Sequence, residues 1–306
     1  MNSNRLRWAF AALMLLLLAL FLSSPGLADV EPLPLDMSVH GRELDPAGWI
    51  SESEYEDESI HIVYETASRK PKSSHNTVTC RWVRIKIADP TQLRTVMSFN
   101  DYDNPDLERP DQMVKGLNSV VACNDDFMKY SYDFGYVVRQ GVFYRNALNG
   151  QRDILIIDDK GDFSYVIKAD KESMEEKLSA LAAEGRTPVN TFSFGPVLVL
   201  DGAAQELGQE PERTEQRLAA QRVAICQLGE LEYAIVEIDG GNENGMNLTE
   251  LATYITIILP ECKIAYNLDG GGSSHLYING KRPHKTPGSR GISGLIYFVS
   301  AVAEAE

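Results

Sequence analysis

The sequence predicts an α+β fold: a single domain around a mixed, strand-rich β-sheet with a few helices. Short runs rich in β-branched and aromatic residues follow one another from Ile60 to Ala301, most of them bounded by Gly, Asp, Asn or Pro. Two segments have clear helical periodicity, and they do not alternate regularly with the strands. The apolar fraction of 43% and the charged fraction of 24% are those of a soluble globular protein.

The N-terminal segment has the pattern of an export signal. Arg5 and Arg7 precede an unbroken apolar run from Trp8 to Leu22, and small residues lead to Ala28. The run is shorter than the roughly 18 apolar residues of a membrane span. We expect residues 1–28 to be a signal peptide that is removed, or a membrane anchor retained through residues 8–22. In either case, the rest of the chain is extracytoplasmic.

Residues 29–58 have the composition of an acidic linker. Pro32, Pro34 and Pro46 interrupt regular structure, and acidic residues dominate from Glu52 to Glu58. We expect a solvated spacer here, followed by a domain at residues 59–306. A calcium-binding loop is the alternative, although no EF-hand spacing supports it.

The elements of the domain are read from periodicity and from turn residues. The helix Lys171–Glu184 has apolar residues on one face and ends before Gly185. The helix Asn247–Leu259 begins with a capping-box variant that pairs Asn247 with Glu250. The polar stretch Glu206–Gln221 is predicted to be an exposed insertion. The predicted strands are Ile60–Glu65, Thr79–Ile87, Ser119–Cys123, Gly135–Arg139, Asp153–Ile157, Phe163–Ile167, Pro196–Leu200, Val223–Leu228, Tyr233–Asp239, Lys263–Leu268, His275–Ile278 and Leu295–Ala301.

Charge and cysteine content limit the classes of partner. With 29 basic and 44 acidic residues, the net charge is −15, which makes a nucleic-acid partner improbable. The four cysteines, Cys80, Cys123, Cys226 and Cys262, permit disulfides in an exported protein, but buried free thiols are an equal alternative. No C-x-x-C or H-E-x-x-H motif occurs, so no resident cofactor or zinc site is expected.

The densest chemical signal is the motif N-L-D-G-G-G-S-S at residues 267–274, directly after an apolar strand. Three consecutive glycines leave their N–H groups free of side-chain cover, and such groups can bind an anion. Asp269 is expected at the exit of the strand, where a carboxylate can act on a substrate. A plain hairpin turn is the structural alternative.

Two further carboxylates follow apolar strands in the same way. Asp126 lies in N-D-D-F at residues 124–127, and Asp239 lies in D-G-G at residues 239–241. Each could instead belong to an ordinary Asx turn or strand-to-helix turn. Hydrolysis of a glycosidic bond uses a pair of carboxyl groups, which these residues and Asp269 could supply. Arg222 and Arg290 lie beside glycine and serine donors, a pattern suited to bidentate phosphate binding, although each could be an ordinary surface ion pair.

These residues resemble the phosphodiester glycosidase family. The N-L-D-G-G-G-S-S motif is highly specific, and N-G-M-N-L-T-E-L-A precedes it at residues 244–252. F-G-P-V-L at 194–198, R-V-A-I at 222–225, and R-G-I-S at 290–293 followed by I-Y-F also resemble stretches of the family, in the same order. The likeness runs from about Thr79 to Ala301.

The resemblance implies a hydrolase that cleaves a sugar from a glycosyl-1-phosphodiester. Asp269 is then the best candidate for a catalytic carboxylate, with Asp126 or Asp239 as its partner. Asn124 would bind sugar hydroxyls or orient Asp126. The candidate substrate- and phosphate-binding residues are Asn124, Arg222, Asn267, Gly270, Gly271, Gly272, Ser273, Ser274 and Arg290.

The sequence departs from the family pattern at four positions. Asp125 replaces a glycine, Met128 an aromatic residue, Gly241 a common arginine and His275 a small residue. Two alternatives therefore stay open: a non-catalytic binder of cell-envelope glycans, and a metal-assisted phosphodiesterase using Ca²⁺ or Mg²⁺. The exported, bacterial-type chain favours cell-envelope or exopolysaccharide glycans that carry glycosyl phosphates as the substrate. Membrane contact is expected only through an uncleaved N-terminal segment.

Overall fold

The computed structural model describes residues 27–129, 134–207, 217–241, 244–283 and 290–302. The predicted signal or anchor lies outside these residues except for its last two positions, and so does most of the polar insertion Glu206–Gln221. Within the described ranges, no helix has the length and apolar character needed to cross a membrane.

The described chain forms eighteen strands and three α-helices, and it is strand-rich as predicted. The helices are α1 (Pro110–Met113), α2 (Lys171–Ala183) and α3 (Leu248–Ile258). The strands are β1 (Trp49–Ser51), β2 (Glu54–Glu56), β3 (Ile60–Arg69), β4 (Val78–Ile87), β5 (Leu93–Met97), β6 (Ser119–Asn124), β7 (Gly135–Arg139), β8 (Val142–Ala147), β9 (Ile154–Asp158), β10 (Phe163–Val166), β11 (Pro188–Phe192), β12 (Val197–Leu200), β13 (Ala203–Ala204), β14 (Arg222–Gly229), β15 (Glu232–Ile238), β16 (Ile264–Asn267), β17 (Leu276–Ile278) and β18 (Gly294–Val299).

The strands form four sheets. Nine strands make the largest, in the order β1-β2-β3-β4-β15-β14-β16-β12-β13, and four make a second, in the order β17-β6-β18-β5. Smaller sheets have the orders β10-β9-β11 and β7-β8.

Every strand pair in the described part of the chain is antiparallel, so the prediction of one mixed sheet is wrong. The reason lies in where the two longer helices connect. Helix α3 links β15 to β16, but β14 lies between them, and α2 links β10 to β11 on either side of β9. Each crossover thus joins strands of the same direction without making them neighbours.

The two larger sheets share the main core. Val83, Ile225 and Ile235 of the nine-stranded sheet belong to the same buried cluster as Val121 and Phe298 of the four-stranded sheet. Helix α3 covers the opposite face of the nine-stranded sheet with its apolar side. Its first turn has the predicted capping box, in which the Asn247 side chain accepts from the Glu250 N–H and the Glu250 side chain accepts in return.

Residues 29–58 are packed onto the domain, so the predicted solvated linker is wrong. Strands β1 and β2 extend the nine-stranded sheet, and Tyr55 of β2 is fully buried. The buried Arg94 guanidinium donates to three backbone carbonyl oxygens of this segment, at Pro34, Asp36 and Val39, over 2.8–2.9 Å. Proline lacks an N–H but keeps its carbonyl, and here the Pro34 carbonyl is one of the three that hold a buried cation in place.

The four cysteines are free and buried in the structure. Of the two alternatives that the sequence leaves open, the structure therefore has the free thiols. Three of them lie on strands, Cys80 on β4, Cys123 on β6 and Cys226 on β14.

Candidate active site

Several predicted site residues gather at one edge of the nine-stranded sheet, the edge formed by the ends of its central strands β15, β14 and β16. Strand β14 begins at this edge, where Arg222 pairs with Ile238 at the end of β15. On the other side of β14, Ala224 pairs with Asn267 at the end of β16. Because β15 and β16 are separated by one strand, the backbones at Asp239 and Asp269 leave the sheet two strand spacings, or about 10 Å, apart.

The end of β6, in the four-stranded sheet, meets the end of β16. The amide nitrogen of the Asn124 side chain donates to the backbone oxygens of Asp125 (3.1 Å) and Asp269 (2.8 Å), and its oxygen accepts from the His275 N–H (2.9 Å). The Asp269 N–H in turn donates to the Asp125 carbonyl over 3.2 Å. The side-chain nitrogen of Asn124 is thus engaged within the protein, with its bond to Asp269 joining the two sheets, which does not support its predicted contact with sugar hydroxyls.

Asp269 lies where the ends of β6 and β16 meet, and 13% of its side chain is exposed to solvent. One carboxylate oxygen accepts from the Gly270 N–H at 2.8 Å, and the other accepts from Nη2 of Arg290 at 3.1 Å. Burial raises the pKa of Asp269, while hydrogen bonds from Ser273, Arg290 and Gly270 act in the opposite direction. The result is a carboxyl group that is held rigidly and still reaches solvent.

Arg290 spans the loop G-G-G-S-S at residues 270–274, which we call the glycine loop. Its Nε donates to the Ser273 hydroxyl at 2.7 Å, and its side chain is 49% exposed. A half-exposed guanidinium fixed beside Asp269 is suited to meeting an incoming phosphate. This contact supports the predicted position of Arg290 at the site.

The glycine loop is a tight turn, with one short 3₁₀ turn over Gly271–Ser273. Gly271 has a φ of +60°, and a Cβ on Gly270 would lie 2.9 Å from the Gln221 carbonyl oxygen. The amide of Gly270 donates to the Asp269 carboxylate, and that of Gly271 donates to the Gln221 carbonyl. The amides of Ser273 and Ser274 donate back to carbonyls of the loop. Four of the loop amides are therefore engaged within the protein, so the expectation that the loop amides jointly bind an anion needs revision.

Two other predicted loop residues are buried. The Ser274 hydroxyl oxygen is buried and has no hydrogen-bond partner among the described residues. Asn267 is also fully buried, and its side-chain nitrogen donates to the Gly195 carbonyl at 2.8 Å. Neither side chain faces solvent, which does not support a direct contact of either one with a substrate.

Arg222 lies beneath the loop. It is buried, with Nε donating to the Met246 carbonyl at 3.0 Å and Nη2 donating to the Leu218 carbonyl at 2.8 Å. A Cβ on Gly270 would lie 3.8 Å from its side chain. Arg222 thus ties the segments before β14 and α3 to the glycine loop, in addition to any role toward phosphate.

Asp126 belongs to a buried cluster with Asp125 and Arg139. One nitrogen of the Arg139 guanidinium lies 2.9 Å from Asp126 Oδ1 and 3.3 Å from Asp125 Oδ2. The second Asp126 oxygen accepts from the Ser193 N–H at 2.8 Å. With 2% of its side chain exposed, Asp126 is poorly placed to touch a substrate, contrary to its predicted catalytic role.

Asp125 is fully buried, and its Oδ1 has no hydrogen-bond partner in the described part of the chain. Burial, together with the neighbouring Asp126 charge, raises the pKa of Asp125 well above its usual range, although Arg139 lowers it. One guanidinium faces two carboxyl groups here, so the neutral acid is favoured at Asp125.

Asp239 lies on the same edge, directly after the last residue of β15. Its Oδ2 accepts from Nη2 of Arg81 at 3.2 Å, its Oδ1 accepts from the Gly240 N–H, and 31% of its side chain is exposed. The same Arg81 donates to Glu237, which is almost fully buried. Burial raises the pKa of Glu237 to about 7, since Arg81 offsets only part of the cost.

Arg139, Asp125 and Glu237 were not predicted as site residues. A signal was present for two of them, because Arg139 and Glu237 are charged residues within otherwise apolar strand runs. In the sequence, Asp125 stands out only because it replaces a glycine of the family pattern.

A metal ion at this site would need several side-chain ligands grouped around it. In the ranges that the structure describes, no three His, Cys, Asp or Glu side chains are grouped as such a site requires. The Asp125 and Asp126 carboxyl groups, which the metal alternative would use, face Arg139 instead. This donor set does not fit Ca²⁺ or Mg²⁺.

Comparison with known proteins gives two kinds of match. Residues 117–299 match the phosphodiester glycosidase family. The catalytic domain of zebrafish N-acetylglucosamine-1-phosphodiester alpha-N-acetylglucosaminidase, auto-inhibited by its pro-peptide, aligns with a TM-score of 0.60 and 19% identity over 79% of this chain and 84% of that chain. A hypothetical protein from Synechocystis aligns with a TM-score of 0.48 and 14% identity over 79% and 62%. No curated protein matches the sequence. The zebrafish structure supports the fold.

Proposed function

Because the chain belongs to the phosphodiester glycosidase family, and is therefore a glycosidase acting on phosphodiester-linked sugars, we propose that it cleaves a glycosyl-1-phosphodiester at the edge around Asp269. The observation that carries this proposal is the contact of Asp269 with Arg290 and the glycine loop. It combines a carboxylate, which can act at the anomeric carbon, with an exposed guanidinium, which can hold the phosphate.

The second carboxyl group of the reaction is assigned to Asp239. Asp239 shares the edge with Asp269 and keeps 31% of its side chain exposed, whereas Asp126 is enclosed by Arg139 and backbone amides. Phosphate is already a good leaving group, so acid catalysis by this second carboxyl group contributes less than in ordinary glycoside hydrolysis. Asp269 then carries most of the catalytic effect.

The N-terminal sequence supports a proposal for the setting of the reaction. The basic and apolar residues before Ala28 favour export, and an exported enzyme meets glycans of the cell envelope or secreted polysaccharides. We therefore place the reaction outside the cytoplasm, on glycans that carry glycosyl phosphates.

The first test compares residues 29–306 with their Asp269→Asn variant. Both are incubated with UDP-GlcNAc and a panel of glycosyl-1-phosphodiesters, and free reducing sugar is followed by mass spectrometry. We expect release by the wild type and a loss of at least about 10³-fold in the variant, because removing a positioned catalytic group costs about this much. Asp103→Asn, at an exposed carboxylate distant in sequence from the motif, is the matched control and should retain activity.

The outcomes separate the open alternatives. Equal release by wild type and Asp269→Asn would contradict the assignment of Asp269. Binding of these compounds without any release, with both proteins folded, would favour a glycan-binding role. Loss of activity on EDTA treatment would favour the metal-assisted phosphodiesterase.

A further inference from the structure

A concavity of about 770 Å³ lies between the end of β3 and helix α3. One wall is Arg69 with the turn that follows β3, and the other is helix α3 from Thr249 to Ile257. The residues that matter for the argument are Arg69, Lys70, Lys72, Met246, Tyr254 and Ile257. We refer to it as the α3 groove.

The walls of the α3 groove are fixed to each other by Glu250. Its Oε1 accepts from the backbone N–H of Lys72 at 2.6 Å and of Ser73 at 3.0 Å, and its Oε2 accepts from the Ser73 hydroxyl. The same carboxylate closes the capping box with Asn247. The groove is therefore pre-formed, which lowers the conformational entropy lost when a ligand binds.

The charge of the α3 groove is opposite to that of the molecule. Its described lining contains three cations, Arg69, Lys70 and Lys72, and one acid, Glu250, whose carboxylate is already bonded to the facing turn. Lys70 and Lys72 are exposed, and the Lys70 ammonium also donates to the His75 carbonyl. In a chain with a net charge of −15, a local excess of cations indicates an anionic occupant.

The floor of the α3 groove is apolar. The guanidinium of Arg69 lies 5.1 Å from the centroid of the Tyr254 ring, and the neighbouring Ile257 side chain is half exposed. Arg69 thus covers the buried Tyr254 ring, and the exposed Ile257 side chain is the one that can contact the C–H groups of a polyol or a sugar. An anion with a carbon backbone fits this combination better than an inorganic ion.

The α3 groove adjoins the residues that support the glycine loop. Met246 lines the groove, and its carbonyl accepts from Nε of Arg222, the residue beneath Gly270. Two buried side chains, those of Met246 and Arg222, therefore lie between the groove and the glycine loop. A ligand bound by the sugar and its phosphodiester at the loop could extend into the groove on the far side of the phosphate.

We propose that the α3 groove binds the aglycone of the substrate, and that this aglycone carries at least one further phosphate on a polyol or sugar backbone. The inference rests on the proposed function, since it names what lies beyond the scissile bond. In this arrangement Arg69, Lys70 and Lys72 contact the additional phosphate, and Ile257 contacts the carbon backbone. The substrate is then an extended, polyanionic glycosyl phosphate.

The test measures binding directly, so it does not depend on turnover. The probe is a short oligo(glycerol phosphate), and its Kd for the catalytically silenced Asp269→Asn protein is measured by calorimetry. The groove variant adds Arg69→Gln, Lys70→Gln and Lys72→Gln. The matched control instead neutralises three exposed lysines elsewhere, Lys115, Lys160 and Lys171.

We expect the groove variant to bind at least about 10-fold more weakly than the control variant, with a smaller dependence of Kd on salt concentration. Equal affinities of the two variants, or no binding by either, would overturn the proposal. Equal binding of an oligoglutamate of the same length would overturn the assignment to a phosphate-bearing aglycone.

A kinetic comparison separates this proposal from the proposed function. With wild-type catalysis restored, the groove substitutions should raise KM for a diester whose aglycone bears a second phosphate and leave kcat unchanged. The same substitutions should not affect a methyl diester. Absence of turnover by the wild type would contradict the proposed function alone, because the binding measurement would still report on the α3 groove.

Discussion

Glu237 shows how burial sets the chemistry of single residues at this site. Its carboxyl group faces Arg81, which it shares with Asp239, yet its pKa is raised to about 7 because the surroundings exclude water. The folded protein therefore prefers the neutral acid, while the unfolded chain ionises near 4.5. The contribution of Glu237 to the free energy of unfolding is complete below pH 4.5 and is lost as the pH rises through about 7.

Replacing Glu237 with Gln should remove this pH dependence. At pH 5 we expect little difference in Tm from the wild type, and at pH 8 we expect the variant to be more stable by about 1–3 kcal/mol. The measurement is thermal unfolding at several pH values between 5 and 8. Glu230→Gln, in the exposed turn after β14, is the control and should follow the wild type. A difference that stays constant with pH would contradict this account.

The helices and strands were more predictable from the sequence than the tertiary contacts of their residues. All twelve predicted strands and both predicted helices are confirmed, because alternation, turn residues and caps are local signals. Six of the described strands were not predicted: β1, β2, β5, β8, β11 and β13. In β5, Arg94 and Thr95 interrupt the apolar pattern, although both are buried among long-range partners. The same limit applies to the site: the motifs indicated Asp269, Asp239 and Arg290, but pairing with Arg81 or Arg139 depends on the tertiary structure.

The C-terminal end of α2 allows a test of one such local signal. Gly185 follows the helix with a φ of +71°, and a Cβ there would meet no atom within 4 Å. The substitution Gly185→Ala should therefore cost about 1 kcal/mol from backbone conformation alone. Urea unfolding of Gly185→Ala and Gly185→Asn measures this cost. Asn tolerates positive φ and should lose less; equal stability of Ala and Gly would contradict the assignment.

At the scale of the whole molecule, the segment before residue 59 completes the domain. Its carbonyl groups solvate the buried Arg94 guanidinium, and β1 and β2 cover the side of β3. Sequence composition could not show this, because prolines and acidic residues are equally typical of a solvated spacer and of a segment packed without regular structure. The boundary at residue 59 is therefore a boundary of composition, and the fold extends across it.

Removing this segment should destabilise the protein. We expect residues 59–306 to be poorly soluble or to unfold well below residues 29–306, because the deletion removes the buried Leu33 and Tyr55 side chains, strands β1 and β2, and three backbone acceptors of Arg94. Thermal unfolding of the two proteins, prepared in parallel, makes the comparison. Adding Arg94→Met to the shorter protein should recover part of the loss. Identical Tm values for the two lengths would show that the segment is dispensable.

The outermost strands of the nine-stranded sheet limit self-association of the protein. Its outermost strands are β1, with three residues, and β13, with two. A second molecule pairing edge to edge would gain few main-chain hydrogen bonds at either strand, and the charge of −15 would repel it. The sheet therefore offers a poor template for filaments, and concentrated solutions of the protein should remain clear.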